Sequence, residues 1–547
     1  MQKLYTTLML VLLVIGANAQ APNWAWAKSS SSNNSITSIQ SLNSTTDALG
    51  NVYVTGIFDS TITFDNITLT DPTALAMFLV KYDPLGNVLW ARSAGEALDM
   101  LGYVVSDICT DANGNVYVVG NYTTSITFDS ITLANERAYI VKYDSSGNVL
   151  WAKGALTLAN STAADALGNV YVVGSFYSLT LTLGSFTLTN TDTSGFFADI
   201  YIVKYDASGN VLWAKSIGSA GQDEIASIAT DPMGNVFVTG SFGYTPSITI
   251  GSYTLTNATN NNGWGYDIFV AKYDANGNVI WAQGAGGAGS SDYVLGVSSD
   301  ASGNVFITGR YYTPSITFGS TTLFNTDTSS TAVGFESFIV KYSAAGNMLW
   351  AKGIGGTGGD FGNGITNDSD GNVYVVGIYS DTISFDAFNL SNTNLGAFNI
   401  FVVKYNPSGN VIWAKQAGGT DNDYGNSISL DTFGNIFITG TYTSPQMVFG
   451  ADTINNSGGY QMFLAKMGNN LIGLNDKILI TEIGIYPNPS NGIFNCNQTI
   501  KTIEVYNMMG KLIITDNNTN QINLQAYPNG LYLARINGID FCRMIKE

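Results

Sequence analysis

Short apolar runs separated by glycine, asparagine and aspartate turns recur along almost the whole chain. The runs are rich in valine, isoleucine, tyrosine, phenylalanine and threonine, which favours strands. They lack the 3.6-residue apolar period of an amphipathic helix. In the fourth copy of the pattern, strands are expected near residues 225–230, 235–240, 268–273 and 278–282. The pattern therefore predicts an all-β fold.

Two signatures mark these strands. The first, D-x-x-G-N followed by V-Y-V-T-G or a close variant, occurs seven times, beginning at Asp47, Asp111, Asp165, Asp231, Asp300, Asp368 and Asp431. The second, K-Y-(D/N/S)-x-x-G-N-(V/M)-(L/I)-W-A, occurs six times, with its tryptophan at Trp90, Trp151, Trp213, Trp281, Trp350 and Trp413. Both faces of the last strand are apolar, as at residues 211–214. Such a strand is expected to be covered on both sides by its neighbours.

The seventh unit lacks the second signature after residue 466, but the segment W-A-W-A-K at residues 24–28 has the composition of the missing strand. Four strands in each of seven units predict a seven-bladed β-propeller that is closed by the N-terminal strand.

These repeats resemble the SBBP-type β-propeller repeats of exported bacterial proteins, over roughly residues 23–466. The resemblance implies a propeller fold and does not imply any single activity.

The C-terminal region has a different texture, with Y-P-N-P-S-N-G at 486–492, V-Y-N-M-M-G-K at 505–511 and N-G-L-Y at 529–532. These motifs, in this order, resemble the type A C-terminal sorting domain of the type IX secretion system. The resemblance implies a small β-sandwich that the secretion translocon binds and that is usually removed after export. The last six residues, 542–547, depart from the family pattern in their cysteine and their final acid.

The first residues have the order of a secretory signal peptide, with Lys3, an apolar run at 8–15 and A-N-A at 17–19. The predicted organisation is a signal peptide at 1–19, the propeller at 20–468, a linker at 469–482 and the sorting domain at 483–547. No later apolar stretch is long enough for a membrane span. The protein is therefore expected to be secreted or to lie on the outer cell surface.

The amino-acid composition excludes several classes of function. The net charge is −18, which argues against nucleic acid as a partner. The chain has no histidine, which excludes Ser-His-Asp and Cys-His nucleophiles and histidine metal ligands. Three cysteines are too few for a disulfide scaffold, and both a Cys496–Cys542 disulfide and two buried thiols are open.

The aspartates of the thirteen D-x-x-G-N and related turns are interpreted as structural, because an aspartate at this place accepts hydrogen bonds from the turn itself. Antiparallel order places all thirteen tight turns on one face of the disc and the long, variable loops on the other. Acids outside the turns lie on the loop face. Asp223, Asp292, Asp360 and Asp423 each precede a turn aspartate by eight residues. Carboxylates at the mouth of a central channel would suit Ca²⁺, which makes these four the candidate metal ligands, with no cofactor certain.

Aromatic residues in the loops are the candidate ligand contacts. Trp264 and Tyr266 lie in a loop rich in asparagine and glycine, and Phe197 and Phe335 lie in equivalent loops. Such rings could stack on a sugar. The predicted function is a binding or adhesion module for an extracellular glycan or protein. The alternative is a carbohydrate-active enzyme that uses paired carboxylates on the loop face, although no acid pair stands out.

Overall fold

The computed structural model describes residues 21–32, 42–71, 75–95, 105–258, 265–325, 335–394, 396–456, 458–468, 485–486, 490–507, 511–536 and 540–546. The chain divides into two compact parts, one that ends at residue 469 and one that begins at residue 470. The described residues form antiparallel sheets and turns, with no helix among them. The prediction of an all-β fold is therefore confirmed. It follows that no helix in these ranges could cross a membrane.

Seven sheets of the N-terminal part share one order of four antiparallel strands, here called a, b, c and d. Strands a to d are Asn43–Thr46, Val52–Phe58, Ala76–Tyr82 and Val88–Gly95 in repeat 1, and Asp107–Thr110, Val116–Asn121, Ala138–Tyr143 and Val149–Ala155 in repeat 2. They are Leu158–Ala164, Val170–Phe176, Asp199–Tyr205 and Val211–Ile217 in repeat 3. They are Gln222–Thr230, Val236–Gly243, Tyr266–Tyr273 and Val279–Gly286 in repeat 4. In repeats 5 to 7 they are Asp292–Ser299, Val305–Tyr311, Glu336–Tyr342 and Met348–Thr357; Asp360–Asn367, Val373–Tyr379, Asn399–Tyr405 and Val411–Ala417; and Asp423–Leu430, Ile436–Tyr442, Gln461–Gly468 and Asn23–Ser29. Strand d of repeat 7 is thus the N-terminal strand.

Each repeat adds a small hairpin between strands b and c. In chain order the hairpin strands are Thr61–Phe64 and Ile67–Thr70, Ser125–Phe128 and Ile131–Ala134, Thr180–Leu183 and Phe186–Thr189, Ser247–Ile250 and Tyr253–Thr256, Ser315–Phe318 and Thr321–Phe324, Thr382–Phe385 and Phe388–Ser391, and Gln446–Phe449 and Asp452–Asn455. The short strand Ser31–Ser32 pairs with the first of these. In repeats 5 and 6 the hairpin also pairs with strand d of the preceding repeat. The hairpins therefore help to join neighbouring sheets.

Burial differs between the middle and the outer strands. Strand b is buried along its whole length in repeats 3 and 4, and strand c in repeats 3, 4 and 5. Strand d does not follow the expectation of cover on both sides. Trp213 and Ala214 are buried, but Leu212 is 47% exposed. That expectation is wrong at Leu212, because its face of strand d is not covered by a neighbouring sheet.

The tight turns have the structural role predicted for them. In repeat 3, Asp165 Oδ1 accepts the backbone N–H groups of Leu167 and Asn169 at 3.0 and 2.9 Å. Its Oδ2 accepts Asn169 Nδ2 at 2.8 Å and the Tyr171 hydroxyl at 3.2 Å. Gly168 takes a φ of +78°, which favours glycine. Both carboxylate oxygens thus accept hydrogen bonds from the turn and the strand that follows it.

A second role of these turns was not foreseen from the sequence. The Lys204 ammonium lies 3.4 Å from Asp165 Oδ2 in its own repeat and donates to the Ala275 carbonyl, 3.3 Å away, in the next. Trp213 Nε1 donates to the same carbonyl at 3.1 Å. The lysine–aspartate pair recurs at 3.4 to 4.0 Å in five other repeats, as Lys81–Asp47, Lys142–Asp111, Lys272–Asp231, Lys341–Asp300 and Lys404–Asp368. In five of the six copies of the second signature, the lysine also donates to a carbonyl of the next repeat, so these copies join two repeats as well as forming a hairpin.

The C-terminal part is one five-stranded sheet. Its strands are Ile485–Tyr486, Ile493–Asn507, Leu512–Asn523, Gly530–Ile536 and Asp540–Lys546, and the long second strand pairs with the first, third and fourth. Phe494, Ile503 and Val505 are fully buried in its apolar core. Cys496 is buried, whereas the Cys542 side chain and the whole predicted linker, 469–482, lie outside the described residues.

Candidate ligand-binding surface on the loop face

The loop face comprises the connections from strand b to the hairpin, from the hairpin to strand c, and from strand d to the next strand a. The candidate acids lie here, at the beginning of strand a, as predicted. Asp223, Asp292, Asp360 and Asp423 have no exposed surface. Each strand a then alternates, so that the next residue, for example Tyr293 after Asp292, is part exposed.

Three of these carboxylates are held by the loops of their own repeats. Asp223 Oδ2 accepts the backbone N–H and the hydroxyl of Ser219 at 2.6 and 3.0 Å. Burial raises the pKa of Asp223 to about 8, against the lowering effect of these bonds. Asp292 accepts the Thr313 hydroxyl at 2.9 Å and the Gly287 N–H at 3.0 Å. Burial raises the pKa of Asp292 likewise, to about 8.

Asp423 follows the same plan and accepts the Gly419 N–H at 2.6 Å and the Ser444 hydroxyl at 2.8 Å. Burial raises its pKa to about 6. Within the ranges that the structure describes, no three aspartate, glutamate or cysteine side chains group closely enough to hold a metal ion. These acids are bound to their loops, and the arrangement gives no support to the Ca²⁺ hypothesis, which stays a prediction.

The prominent feature of the loop face is a row of nine aromatic rings, here called the aromatic arc. Neighbouring ring centroids along it are 3.9 to 6.4 Å apart. In order, the rings belong to Phe197, Tyr244, Tyr266, Tyr293, Tyr312, Phe335, Phe361, Phe398 and Tyr424. The arc runs across repeats 3 to 7, and each of these five repeats contributes at least one ring. It is the candidate binding surface of the loop face.

All rings of the arc except Tyr266 are part exposed. Tyr266 is 8% exposed and Tyr244 is 38% exposed, and the other seven fall between buried and exposed. Glycines make room for the arc, since a Cβ on Gly359 would lie 2.7 Å from the Phe335 ring and one on Gly243 would lie 2.9 Å from Tyr266. Such part-exposed rings can stack on a flat apolar ligand face.

Two charged side chains, Glu224 and Arg310, contact rings of the arc. The Tyr266 hydroxyl donates to Glu224 Oε1 at 3.3 Å, and burial raises the pKa of Glu224. Arg310 places its guanidinium carbon 5.5, 5.6 and 4.9 Å from the ring centroids of Tyr293, Tyr312 and Phe361. The arc is therefore a row of five tyrosine and four phenylalanine rings with one arginine near its centre.

Of the four predicted ligand contacts, the structure brings Phe197, Tyr266 and Phe335 together in the arc. Trp264 lies outside the described residues. The sequence reasoning missed Tyr244, Tyr293, Tyr312, Phe361, Phe398 and Tyr424. A positional signal was available, because Tyr293, Phe361 and Tyr424 each directly follow one of the buried strand a aspartates.

Comparison with protein-family models agrees with both sequence resemblances. A β-propeller repeat model matches residues 349–377 and 412–441. A secretion system C-terminal sorting domain model matches residues 484–542. The chain carries SBBP β-propeller repeats and a type IX sorting domain. The sorting domain indicates export to the cell surface or the outside.

The individual proteins that match this chain have low sequence identity to it. An uncharacterized WD repeat-containing protein of Acanthamoeba polyphaga mimivirus is 27% identical over 455 residues, which cover 66% of this chain and 32% of that protein. The chain spans less than a third of the length of the curated relatives it matches. Among solved structures, a streptogramin B lyase has a TM-score of 0.40 at 9% identity, covering 80% of this chain and 97% of that one. The Pan2 WD40 domain of Neurospora crassa has a TM-score of 0.37 at 8% identity, covering 82% and 99%.

The matched propeller repeats locate part of the arc. Each match begins in strand d of one sheet and ends in strand b of the next. Phe361 lies in the first match and Tyr424 in the second. Both therefore occupy the beginning of strand a within a propeller repeat, where the chain enters from the loop face.

Proposed function

We propose that this protein is an exported, seven-bladed β-propeller that acts as a binding or adhesion module. Its extracellular ligand, a glycan or a protein, binds along the aromatic arc. The observation that carries the proposal is the arc itself, because its nine rings come from five consecutive repeats and all but Tyr266 are part exposed. Loops on a rigid scaffold are where binding residues usually lie.

Export follows a two-signal route in this proposal. Residues 1–19 act as the signal peptide, and residues 483–547 carry the chain to the type IX translocon after the linker at 469–482. The propeller, residues 20–468, is then the part that meets the ligand.

Ring closure is supported by a contact between the last and first repeats. Lys466 Nζ and Trp26 Nε1 of repeat 7 donate to the Pro84 carbonyl of repeat 1 at 2.8 and 3.4 Å. Pro84 is the second residue of its tight turn, as Ala275 is where repeats 3 and 4 meet. Near the inner strands, Ser44 N–H donates to Ser427 Oγ at 3.2 Å. Repeats 7 and 1 thus meet as consecutive repeats do.

Closure is tested by deleting residues 23–28 from the full chain expressed without its signal peptide. The deletion exposes the edge of the strand Gln461–Gly468 and removes the packing of Trp24 on Phe449, so the melting temperature is expected to fall sharply. Lys28→Ala keeps the strand and serves as the control, with a melt near that of the wild type. An unchanged melt for the deletion would show that the N-terminal strand does not close the ring.

Binding is tested with the full-length exported protein on arrays of glycans and of extracellular proteins. Phe335→Ala opens a gap at the centre of the arc and is expected to lower binding at least tenfold. The control is Phe433→Ala, which removes a 49% exposed ring from the tight-turn face. Equal losses for both variants, or none for either, would argue against the arc as the site.

The same assay, run with Ca²⁺ and with a chelator, tests the cation hypothesis. Binding is expected to be unchanged by the chelator, because Asp223, Asp292 and Asp423 already accept hydrogen bonds from their own loops. Hydrolysis of a bound glycan during the assay would instead support the alternative of a carbohydrate-active enzyme.

A further inference from the structure

Arg310 is the feature of the arc that the repeat does not require. It lies in strand b of repeat 5 and faces Tyr293 across the antiparallel pair. The other repeats have small, amide or aliphatic residues at this place, namely Ile57, Asn121, Ser175, Ser241, Ile378 and Thr441. Six of the seven repeats therefore form the same fold without an arginine at this position.

The hydrogen bonding of Arg310 is incomplete among the described residues. Its Nε is buried and has no hydrogen-bond partner there, while the residue as a whole is part exposed. A buried donor without an acceptor destabilises the folded state. A ligand acceptor that reaches this nitrogen would offset that destabilisation.

Arg92 also packs its guanidinium on an aromatic ring, and there the contact has only a structural role. Its guanidinium carbon lies 5.5 Å from the Trp90 ring centroid, as Arg310 lies over its tyrosines. Arg92 Nε, however, donates to the Gly147 carbonyl at 2.8 Å. Packing on aromatic rings thus does not by itself leave the Nε of an arginine without an acceptor.

The shape of the arc favours a glycan over a peptide. A linear glycan presents the apolar face of one sugar after another, which matches rings set in a row, and its hydroxyls can bond to tyrosine hydroxyls along the same row. Peptide recognition relies more on a sheet edge or on pockets for separate side chains. The arc contains four part-exposed tyrosines besides Tyr266, namely Tyr244, Tyr293, Tyr312 and Tyr424.

Charge limits what kind of glycan this is. The net charge of −18 repels a densely charged polyanion at long range. The guanidinium in the arc attracts one carboxylate at short range, where an arginine can bind both of its oxygens. A mostly neutral chain with isolated acidic sugars satisfies both conditions.

We propose that the arc binds a largely neutral glycan that carries a carboxylate-bearing sugar, and that Arg310 pairs with that carboxylate. The inference rests on the proposed function, since it assigns a ligand class to the same surface.

The test uses oligosaccharides that carry a single uronic or sialic acid, each beside the same compound after its carboxylate is reduced to an alcohol. Titration calorimetry with the full-length protein is expected to show the acid form binding about tenfold to a hundredfold more tightly. Arg310→Met keeps an apolar side chain over the rings and is expected to abolish that preference, so that the acid and the reduced forms bind equally. Arg92→Met, the matched control, is expected to leave the preference intact.

The outcomes separate this inference from the proposed function. Equal binding of acid and reduced forms, or an acid preference that survives in Arg310→Met, overturns the role of Arg310. If that glycan binding is lost in Phe335→Ala, the arc remains the binding site. Peptides that bind in a Phe335-dependent way, with no oligosaccharide bound, overturn the glycan assignment and leave the binding module. Ligand binding that no arc variant changes overturns both.

Discussion

The two faces of the propeller-like part use the same residue, aspartate, in opposite ways. On the tight-turn face, the exposed turn aspartate Asp206 accepts three hydrogen bonds from Ser208 and Asn210, and the bonds from Asn210 lower its pKa. On the loop face, Asp223 and Asp292 are fully buried and burial raises their pKa. The difference teaches that position in the repeat, rather than residue type, decides what an acid contributes.

The two faces also differ in whether their side chains are bonded to other residues of the protein. On the tight-turn face, bonds between repeats engage the lysine and tryptophan of the signature. The loop face leaves aromatic rings part exposed and an arginine nitrogen without an acceptor among the described residues. A surface whose groups satisfy one another supports the fold, whereas one with unsatisfied groups is a candidate for binding.

The largest expected effect separates a buried turn acid from an exposed one within a single repeat. Asp165→Ala leaves Lys204 buried without its counter-ion, so it is expected to lower the free energy of unfolding by about 3–5 kcal/mol. Asp206→Ala loses only exposed hydrogen bonds and should cost about 1 kcal/mol. Urea unfolding of both variants measures the difference. Equal losses would show that burial is not what distinguishes the two turns.

A second effect depends on pH. Because the folded state raises the pKa of Asp223 and Asp292 to about 8, it holds their protons more tightly than the unfolded chain does. Their stabilising contribution is complete below about pH 4 and is lost as the pH rises to about 8, by an amount on the order of a few kcal/mol. The Asp223→Asn, Asp292→Asn double variant is expected to show a smaller fall in urea midpoint between pH 4.5 and pH 8.

The control for this prediction is Asp206→Asn on the other face. The lowered pKa of Asp206 gives the opposite sign, with stability present above the unfolded pKa and lost on acidification. Its effect should be small, because the side chain is solvated. A double variant whose stability follows the wild type at every pH would show that the loop-face acids are not protonated in the folded protein.

The smallest expected effect on stability comes from Gly359→Ala. The new Cβ would lie 2.7 Å from atoms at the far end of the Phe335 ring, which can shift, so the loss should stay below about 1 kcal/mol. The moved ring should nevertheless weaken ligand binding in the array assay. By contrast, Gly209→Ala on the tight-turn face places alanine at a φ of +81° and should cost about 1–2 kcal/mol without changing binding. Loss of binding in Gly209→Ala alone would reverse the assignment of the faces.

The sequence by itself determined the repeated strands, the tight turns and the presence of a sorting domain. These depend on local rules: alternating β-branched and aromatic residues form strands, and an aspartate two residues before a turn N–H accepts it. The seven D-x-x-G-N copies thus marked every turn between strands a and b. For the same reason Phe197 and Phe335 could be named as loop residues, whereas Tyr266 is the first residue of strand c. Local rules could not say that Leu212 would face open space.

Only the tertiary structure decided which distant residues meet. Tyr293 and Phe361 are 68 residues apart in the chain, yet both contact Arg310, because neighbouring sheets bring equivalent positions of strand a side by side. The Pro84 carbonyl likewise accepts from Lys466, 382 residues away. A repeat signature predicts the strands and turns of each unit. Which residues of neighbouring units meet depends on how the units pack against each other in three dimensions. For that reason the aromatic arc emerged from the structure and not from any single repeat.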